Sequence, residues 1–527
     1  MSSQMQRRHG SVREVTFDLF RRLGINKIFG NPGSTEIPMF RDFPEDFSYV
    51  LGLQESIVVS MADGYAQTTG NAAVVNLHSA AGLGHALGSV YTAYRNQTPL
   101  IITAGQQARS ILPFDAYLSA ERPTEFPQPY VKYAIEPARA EDVPQAIARA
   151  YRIAMQVPRG PVFVSVPIDD WDREAEFLEM REVSSVRHPD PDAIARLSAA
   201  LNGAANPVIV AGPAIDREGA WESVVKLAES QNIRVFTAPH SNRCSFPENH
   251  PLHAGFLPPM REGIVSMLNG HDLILVIGAP AFTYHTEGHG PHIPSGSTLF
   301  QITENPGIAS WTPSGDAIVC DLKPAVEALL ACAEGPLRPA PAPRPEAPRV
   351  PASDGLTVEF LMQTIGDLRS PETIILDEAP TSGGARQAYV RNSRPGAFSQ
   401  GGSGGLGYAM PASVGVALAR KTERVICIMG DGSSMYSIQA LYSAARERVP
   451  VTYIVVNNGS YQALEKFAAV FQIQDLVGTR LPGLDFAGLG NSLGCPAQQV
   501  VKAEDLEAVL RAALAADGPN LVEVKVA

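Results

Sequence analysis

The sequence predicts an α/β protein of three domains, each a parallel sheet flanked by helices. Three observations lead to it. Apolar runs of strand length alternate with helix-period stretches along the 527-residue chain, the pattern that builds parallel sheets. Several of these runs end on Gly, Asp, Asn or His, where strand carboxyl ends open into a crevice. Two composition breaks, around residues 187–191 and across 335–351 with its seven prolines, divide the chain into blocks 1–185, 190–334 and 355–527.

Composition narrows the function classes. Hydrophobic residues make up 45% and charged residues 18%, ordinary for a globular enzyme with a sizeable core. A net charge of −12 argues against nucleic acid or an anionic membrane as a partner. The five cysteines are scattered without CxxC spacing, which fits a reducing compartment and no zinc cluster. No run approaches the ~20 apolar residues of a membrane helix. Arg7-Arg8 is not followed by the apolar core of a signal peptide, so the expected location is cytoplasmic.

In the first block, Ser11-Val12-Arg13-Glu14 is a capping box, and Val12, Val15, Leu19 and Leu23 mark a helix closed by Gly24. The strand Lys27-Ile28-Phe29 then leads into Gly30-Asn31-Pro32-Gly33-Ser34, a rigid turn presenting a hydroxyl. Glu55 stands where the run from Val50 meets a helix, a place where a carboxylate can serve chemistry or merely favour the helix terminus. His78 follows the strand that begins at Ala72, and could equally be a hydrogen-bonded structural histidine. The middle block has strands at Val208-Ile209-Val210 and from Leu273 to Ile277, both running into Gly, but no GxGxxG, so a dinucleotide is not indicated there.

The third block carries the strongest signal. Val425 to Met429 reads as a buried strand, Ser437 to Arg448 as a helix, and Val451 to Val456 as a second strand. In such a βαβ unit both strands open at the same sheet edge, so Asp431 of Gly430-Asp431-Gly432 and the pair Asn457-Asn458 converge. Convergent hard oxygens suit Mg²⁺ completed by phosphate oxygens. The glycines allow close backbone approach, helix N–H groups face an anion, and Ser433 and Ser434 add hydroxyls. An acid between glycines is by itself a common tight turn. The asparagine pair one strand later favours a metal–diphosphate site.

Taken together, "FGNPGSTEIP", "LQESIVVSMADGYAQ", "NLHSAAG", "PLIITAGQQ", "VIGAPAFTYH", "GGLGYAMPA" and "NNGSYQAL" resemble the thiamine diphosphate-dependent 2-oxo acid decarboxylases, in particular benzoylformate decarboxylase and its relatives, over nearly the full length. The resemblance implies a pyrimidine-binding domain, a middle domain and a diphosphate-binding domain, with cofactor bridging the first domain of one subunit and the third of another. A homodimer is then the minimum active unit, and tetramers are common in the family. It implies thiamine diphosphate and Mg²⁺ (or Ca²⁺ in its place) as cofactors and a small 2-oxo acid as substrate. Asp431, Asn458 and the carbonyl of Ser460 are the implied metal ligands. Thr381, Gly404, Leu406, Gly430, Gly432, Ser433, Tyr436, Tyr461 and Ala463 are the implied cofactor contacts. Glu55 would hold a proton against the pyrimidine ring, His78 and His285 would move protons, and Ser34 would hold the substrate carboxylate. Gln400, Leu464 and Phe467 would line the substrate pocket.

The sequence departs from the family at three places: His85 where Asn is usual, Pro380 where a hydroxyl is expected, and Gln400 in place of an aromatic residue. The expected activity is non-oxidative decarboxylation of an aryl 2-oxo acid to an aldehyde. Carboligation of the acetolactate synthase type, or a catalytically silent cofactor-binding subunit, are the alternatives. The intact Glu55 and metal pair weigh against silence.

Overall fold

A computed structural model describes residues 8–334, 338–352 and 356–526. Arg7, residues 335–337 of the proline-rich break, and the two ends of the third block at 355 and 527 lie outside them. Three six-stranded sheets form the body of the protein, and every strand pair within them is parallel.

The first sheet runs, in spatial order, Ser48–Leu51, Lys27–Asn31, Ala73–Leu77, Leu100–Gln106, Val162–Pro167 and Ala134–Ile135. The third runs Phe398–Ser399, Ile374–Glu378, Val425–Gly430, Val451–Asn457, Asn520–Lys525 and Ala497–Val500. Numbered by position in the chain, both follow the order 2-1-3-4-6-5. The middle sheet follows 3-2-1-4-5-6, the doubly wound order of nucleotide folds, here without their glycine fingerprint. Central strands such as Ala73–Leu77 and Val451–Asn457 are buried along their whole length, as near-continuous apolar runs require when helices cover both faces.

Local signals act as their chemistry dictates. Ser11 and Glu14 form the capping box of helix Val12–Arg22, and a short antiparallel pair, His9–Ser11 with Glu174–Glu176, closes the first unit. Asp190 caps helix Pro191–Gly203. Within the proline-rich break, Arg338 hooks the chain to the middle unit through the carbonyls of Leu201 and Ala204 and the side chain of Gln231.

The βαβ unit departs from the expected pattern in one respect. A short helix, Asp431–Met435, opens at the end of strand Val425–Gly430, and the following helix spans Ala440–Glu447 instead of beginning near Ser437. The Gly- and Ser-rich stretch has weak intrinsic helix preference, so helix appears there through burial: Asp431, Gly432, Ser433 and Ser434 are all buried.

Candidate active site

Two clusters of polar side chains form at strand carboxyl ends, one on the first sheet and one on the third. On the first, the strand Lys27–Asn31 delivers the turn that the sequence predicts. Glu36, just beyond it, is buried and accepts from the Gly33 N–H at 2.9 Å, the Gly105 N–H at 2.8 Å and the Thr35 hydroxyl at 2.6 Å. Its Oε2 lies 2.9 Å from Nδ1 of His78, which is also 3.1 Å from the Thr35 hydroxyl. With a carboxylate as acceptor, Nδ1 carries the proton and Nε2 is left for other partners. Gly33 cannot be larger, because a Cβ there would overlap the His78 ring. Ser79, immediately after His78, is buried with a φ of 49°, a left-handed conformation that non-glycine residues seldom adopt outside constrained sites. Ser34 is exposed at the turn.

Glu55 opens helix Glu55–Thr69, but the helix is capped by its neighbour: Gln54 Oε1 accepts from the N–H groups of Ser56 and Ile57. Glu55 instead meets His85, whose Nδ1 lies 3.2 Å from its Oε2.

On the third sheet a cavity of about 330 Å³ opens where strands Val425–Gly430 and Val451–Asn457 end. Asp431, Asn458 and Ser460 line it with Gly430, Gly432 and Ser433. Leu406, Val456, Ala463 and Leu464 supply apolar surface, Tyr436 and Tyr461 add rings, and Pro380 and Thr381 close an edge. Gly432 is the close-approach glycine, since a Cβ would enter the Tyr461 ring. Asp431 is buried; its Oδ1 accepts from the Gly432 N–H at 2.7 Å, and its Oδ2 from Gly459 at 2.7 Å and Asn458 at 3.2 Å. Burial raises its carboxyl above the ordinary range, while those backbone N–H groups pull the other way. Asn458 Oδ1 accepts from the Ser460 N–H at 3.0 Å, which holds the amide oxygen beside the Asp431 carboxylate loop. A carboxylate, an amide oxygen and a peptide carbonyl are hard donors suited to Mg²⁺ or Ca²⁺. No cluster of three or more His, Cys, Asp or Glu competes for a metal among the described residues.

The structure brings most of the expected third-block residues to this cavity, but Gly404, Gln400 and Phe467 do not line it. Gly404, with a φ of 76°, belongs to the turn before Leu406. Gln400 is tied to the middle unit, its Nε2 donating to the Ser241 carbonyl at 3.0 Å and its backbone N–H to the Asn242 carbonyl at 3.1 Å. Phe467 meets the exposed His285 edge-on at 4.8 Å, and His285 in turn meets His240 at 5.5 Å. The cavity lining comes entirely from residues 380–478, so Glu55, His78 and Ser34 of the same chain do not reach it.

Two functional candidates escaped the sequence reading. Glu36 lies inside "FGNPGSTEIP", and a charge amid turn and apolar residues was the available signal. Glu378 ends strand Ile374–Glu378 and accepts from the N–H groups of Gly407 at 2.5 Å, Tyr408 at 2.7 Å and Ala409 at 2.7 Å, thereby holding the segment around Leu406. Burial pushes its carboxyl up to about 7 despite those donors.

Three family models match in order: "Thiamine pyrophosphate enzyme, N-terminal TPP binding domain" over residues 11–128, the central domain over 194–329, and the C-terminal TPP binding domain over 381–524. The chain is 42% identical to a benzoylformate decarboxylase of Pseudomonas aeruginosa over 519 residues, covering 98% of each. Among solved structures, benzoylformate decarboxylase from Polynucleobacter necessarius is 38% identical with a TM-score of 0.96, covering 98% of both chains. A thiamine diphosphate-dependent 4-hydroxybenzoylformate decarboxylase of Rhodococcus jostii RHA1 is 39% identical with a TM-score of 0.95, covering 98% of this chain and 99% of the other.

Proposed function

The chain belongs to the thiamine pyrophosphate enzyme family, and from that premise we propose that its substrate is an aryl 2-oxo acid such as benzoylformate, converted to an aldehyde and carbon dioxide. It is a thiamine diphosphate-dependent 2-oxo acid carboxy-lyase. The observation that carries the reading is the third-sheet cavity, which is lined by hard oxygen donors and by apolar surface together.

Thiamine diphosphate, when bound, supplies the nucleophilic carbon and the electron sink for loss of carbon dioxide. The chain supplies position and proton control. Asp431, Asn458 and the Ser460 carbonyl would hold Mg²⁺, or Ca²⁺ in its place, against the diphosphate, with Ser433 and the glycines Gly430 and Gly432 beside it. Leu406, Thr381, Tyr436, Tyr461, Ala463 and the Gly404 carbonyl would hold the rings. Glu55 would keep a proton at the pyrimidine nitrogen. His78 and His285, imidazoles suited to proton transfer near neutral pH, would serve the reacting centre. Glu36 fixes the His78 ring, and Ser34 would bind the substrate carboxylate. Leu464 and Phe467 would shelter an aryl group; Gln400, the third expected pocket residue, is held by the Ser241 and Asn242 carbonyls of the middle unit.

Glu55 and His78 on one side and the Asp431 cavity on the other would complete one another across two copies of the chain, in a homodimer or a tetramer built from it. Large apolar side chains left exposed in both units support that assembly: Phe114 and Tyr117 in the first, Phe471 and Val477 in the third. A panel of aryl and alkyl 2-oxo acids, assayed with thiamine diphosphate and Mg²⁺, tests the substrate. Phenylglyoxylate should be turned over best, releasing free aldehyde instead of a hydroxyketone. Far more efficient turnover of pyruvate would end the aryl reading.

A further inference from the structure

His85 lies on helix Ser79–Asn96, two turns beyond His78. Its Nδ1 is 3.2 Å from Glu55 Oε2. The Glu55 side chain is only 13% exposed, whereas that of His85 is 66% exposed. The remaining oxygen, Oε1, faces Gly82, where even a Cβ would come within 3.2 Å. The amides of the first helical turn are already taken by Gln54, so they do not hold the Glu55 carboxylate. Among the described residues, His85 is its one side-chain hydrogen-bond partner.

We propose that His85 is a positioning residue for Glu55, holding Oε2 so that Oε1 remains the oxygen free to engage the cofactor's pyrimidine ring. The proposal rests on the reading of Glu55 as the residue that keeps a proton at that ring. A carboxylate with one oxygen anchored has a restricted rotamer, and removing such an outer partner disturbs the group it orients. Neutral imidazole with its proton on Nδ1 can donate this bond, and so can the amide of Asn. An apolar side chain cannot.

The test uses the full-length holoenzyme with thiamine diphosphate and Mg²⁺. Exchange of the thiazolium C2 proton into deuterated water is measured beside cofactor affinity and melting temperature for His85→Leu, His85→Asn, Glu55→Gln and the double variant Glu55→Gln/His85→Leu. His85→Leu should slow exchange by about tenfold or more, the scale of lost outer-partner orientation, with affinity and melting temperature close to wild type. His85→Asn should restore near wild-type exchange, and the double variant should be no slower than Glu55→Gln. His85→Ala answers the same question if the leucine variant does not assemble.

Wild-type exchange in both apolar variants overturns the proposal, and so does His85→Asn exchanging as slowly as His85→Leu. Glu55→Gln separates the two levels of inference. If it exchanges at the wild-type rate, the reading of Glu55 itself fails; if it is slow while His85→Leu is fast, only the role of His85 fails.

Discussion

Asp431 commits both carboxylate oxygens to backbone N–H groups of Gly432, Asn458 and Gly459, which leaves its remaining lone pairs directed by the loop instead of by rotamer choice. Asp431→Ala should therefore leave the fold intact and lose metal and diphosphate together; cofactor retained after dialysis would contradict the assignment. Glu378 makes a different prediction, because its carboxyl is raised by burial from 4.5 to about 7. Between those values the folded chain keeps a proton that the unfolded chain has released. Its contribution to stability is thus fully present below about 4.5 and is lost as pH rises through 7. Glu378→Gln removes that loss, so the variant should gain roughly 2–3 kcal/mol on wild type between pH 5 and pH 8 in denaturant titrations. A pH-independent difference would show that Glu378 stays ionised throughout. Legibility in the sequence differs between these residues for a physical reason. Asp431 and Asn458 stand out because local spacing places them together, whereas Glu36 and Glu378 find their donors in segments far along the chain.

Helices Glu55–Thr69 and Ala409–Ala419 join the first and third units at the scale of elements. They pack so closely that a Cβ on Gly415 would overlap the Met61 carbonyl, and one on Gly64 the carbonyl of Ala412. Glycine within a helix reads in sequence as a weak point; here it lets two backbones touch. Gly415→Ala should destabilise the protein by roughly 1–3 kcal/mol, the usual cost of overpacking, seen as a lower unfolding midpoint; an unchanged midpoint would mean that the helices can separate freely. The parallel strands were legible from their unbroken apolar runs, and so was the Ser11 capping box. The helix at Asp431–Met435 was not, since its Gly and Ser residues favour turns until tertiary burial overrides them.

Across the whole molecule, one buried polar node ties the three units. Asp63 accepts from Thr98 and Asn96; Asn96 accepts from Asn242 and the Gly402 N–H; and Arg243 donates to Asp216 and Gln67. Such a node fixes the units against one another within a chain, and no sequence pattern announces it, because its members come from far-separated segments. The matching 2-1-3-4-6-5 order of the first and third sheets gives each chain two crevices of the same kind, one bearing Glu55 and His78 and the other Asp431. The proposed chemistry depends on those halves acting together across a pair of chains. Co-expressing Glu55→Gln and Asp431→Ala chains under different tags, and purifying the mixed oligomer through both, tests it directly. Each mixed pair should regain one intact site and about half the wild-type activity of a symmetric dimer, although neither variant is active alone. A doubly tagged oligomer as inactive as its parents would refute the shared site, by showing that both residues serve a single chain.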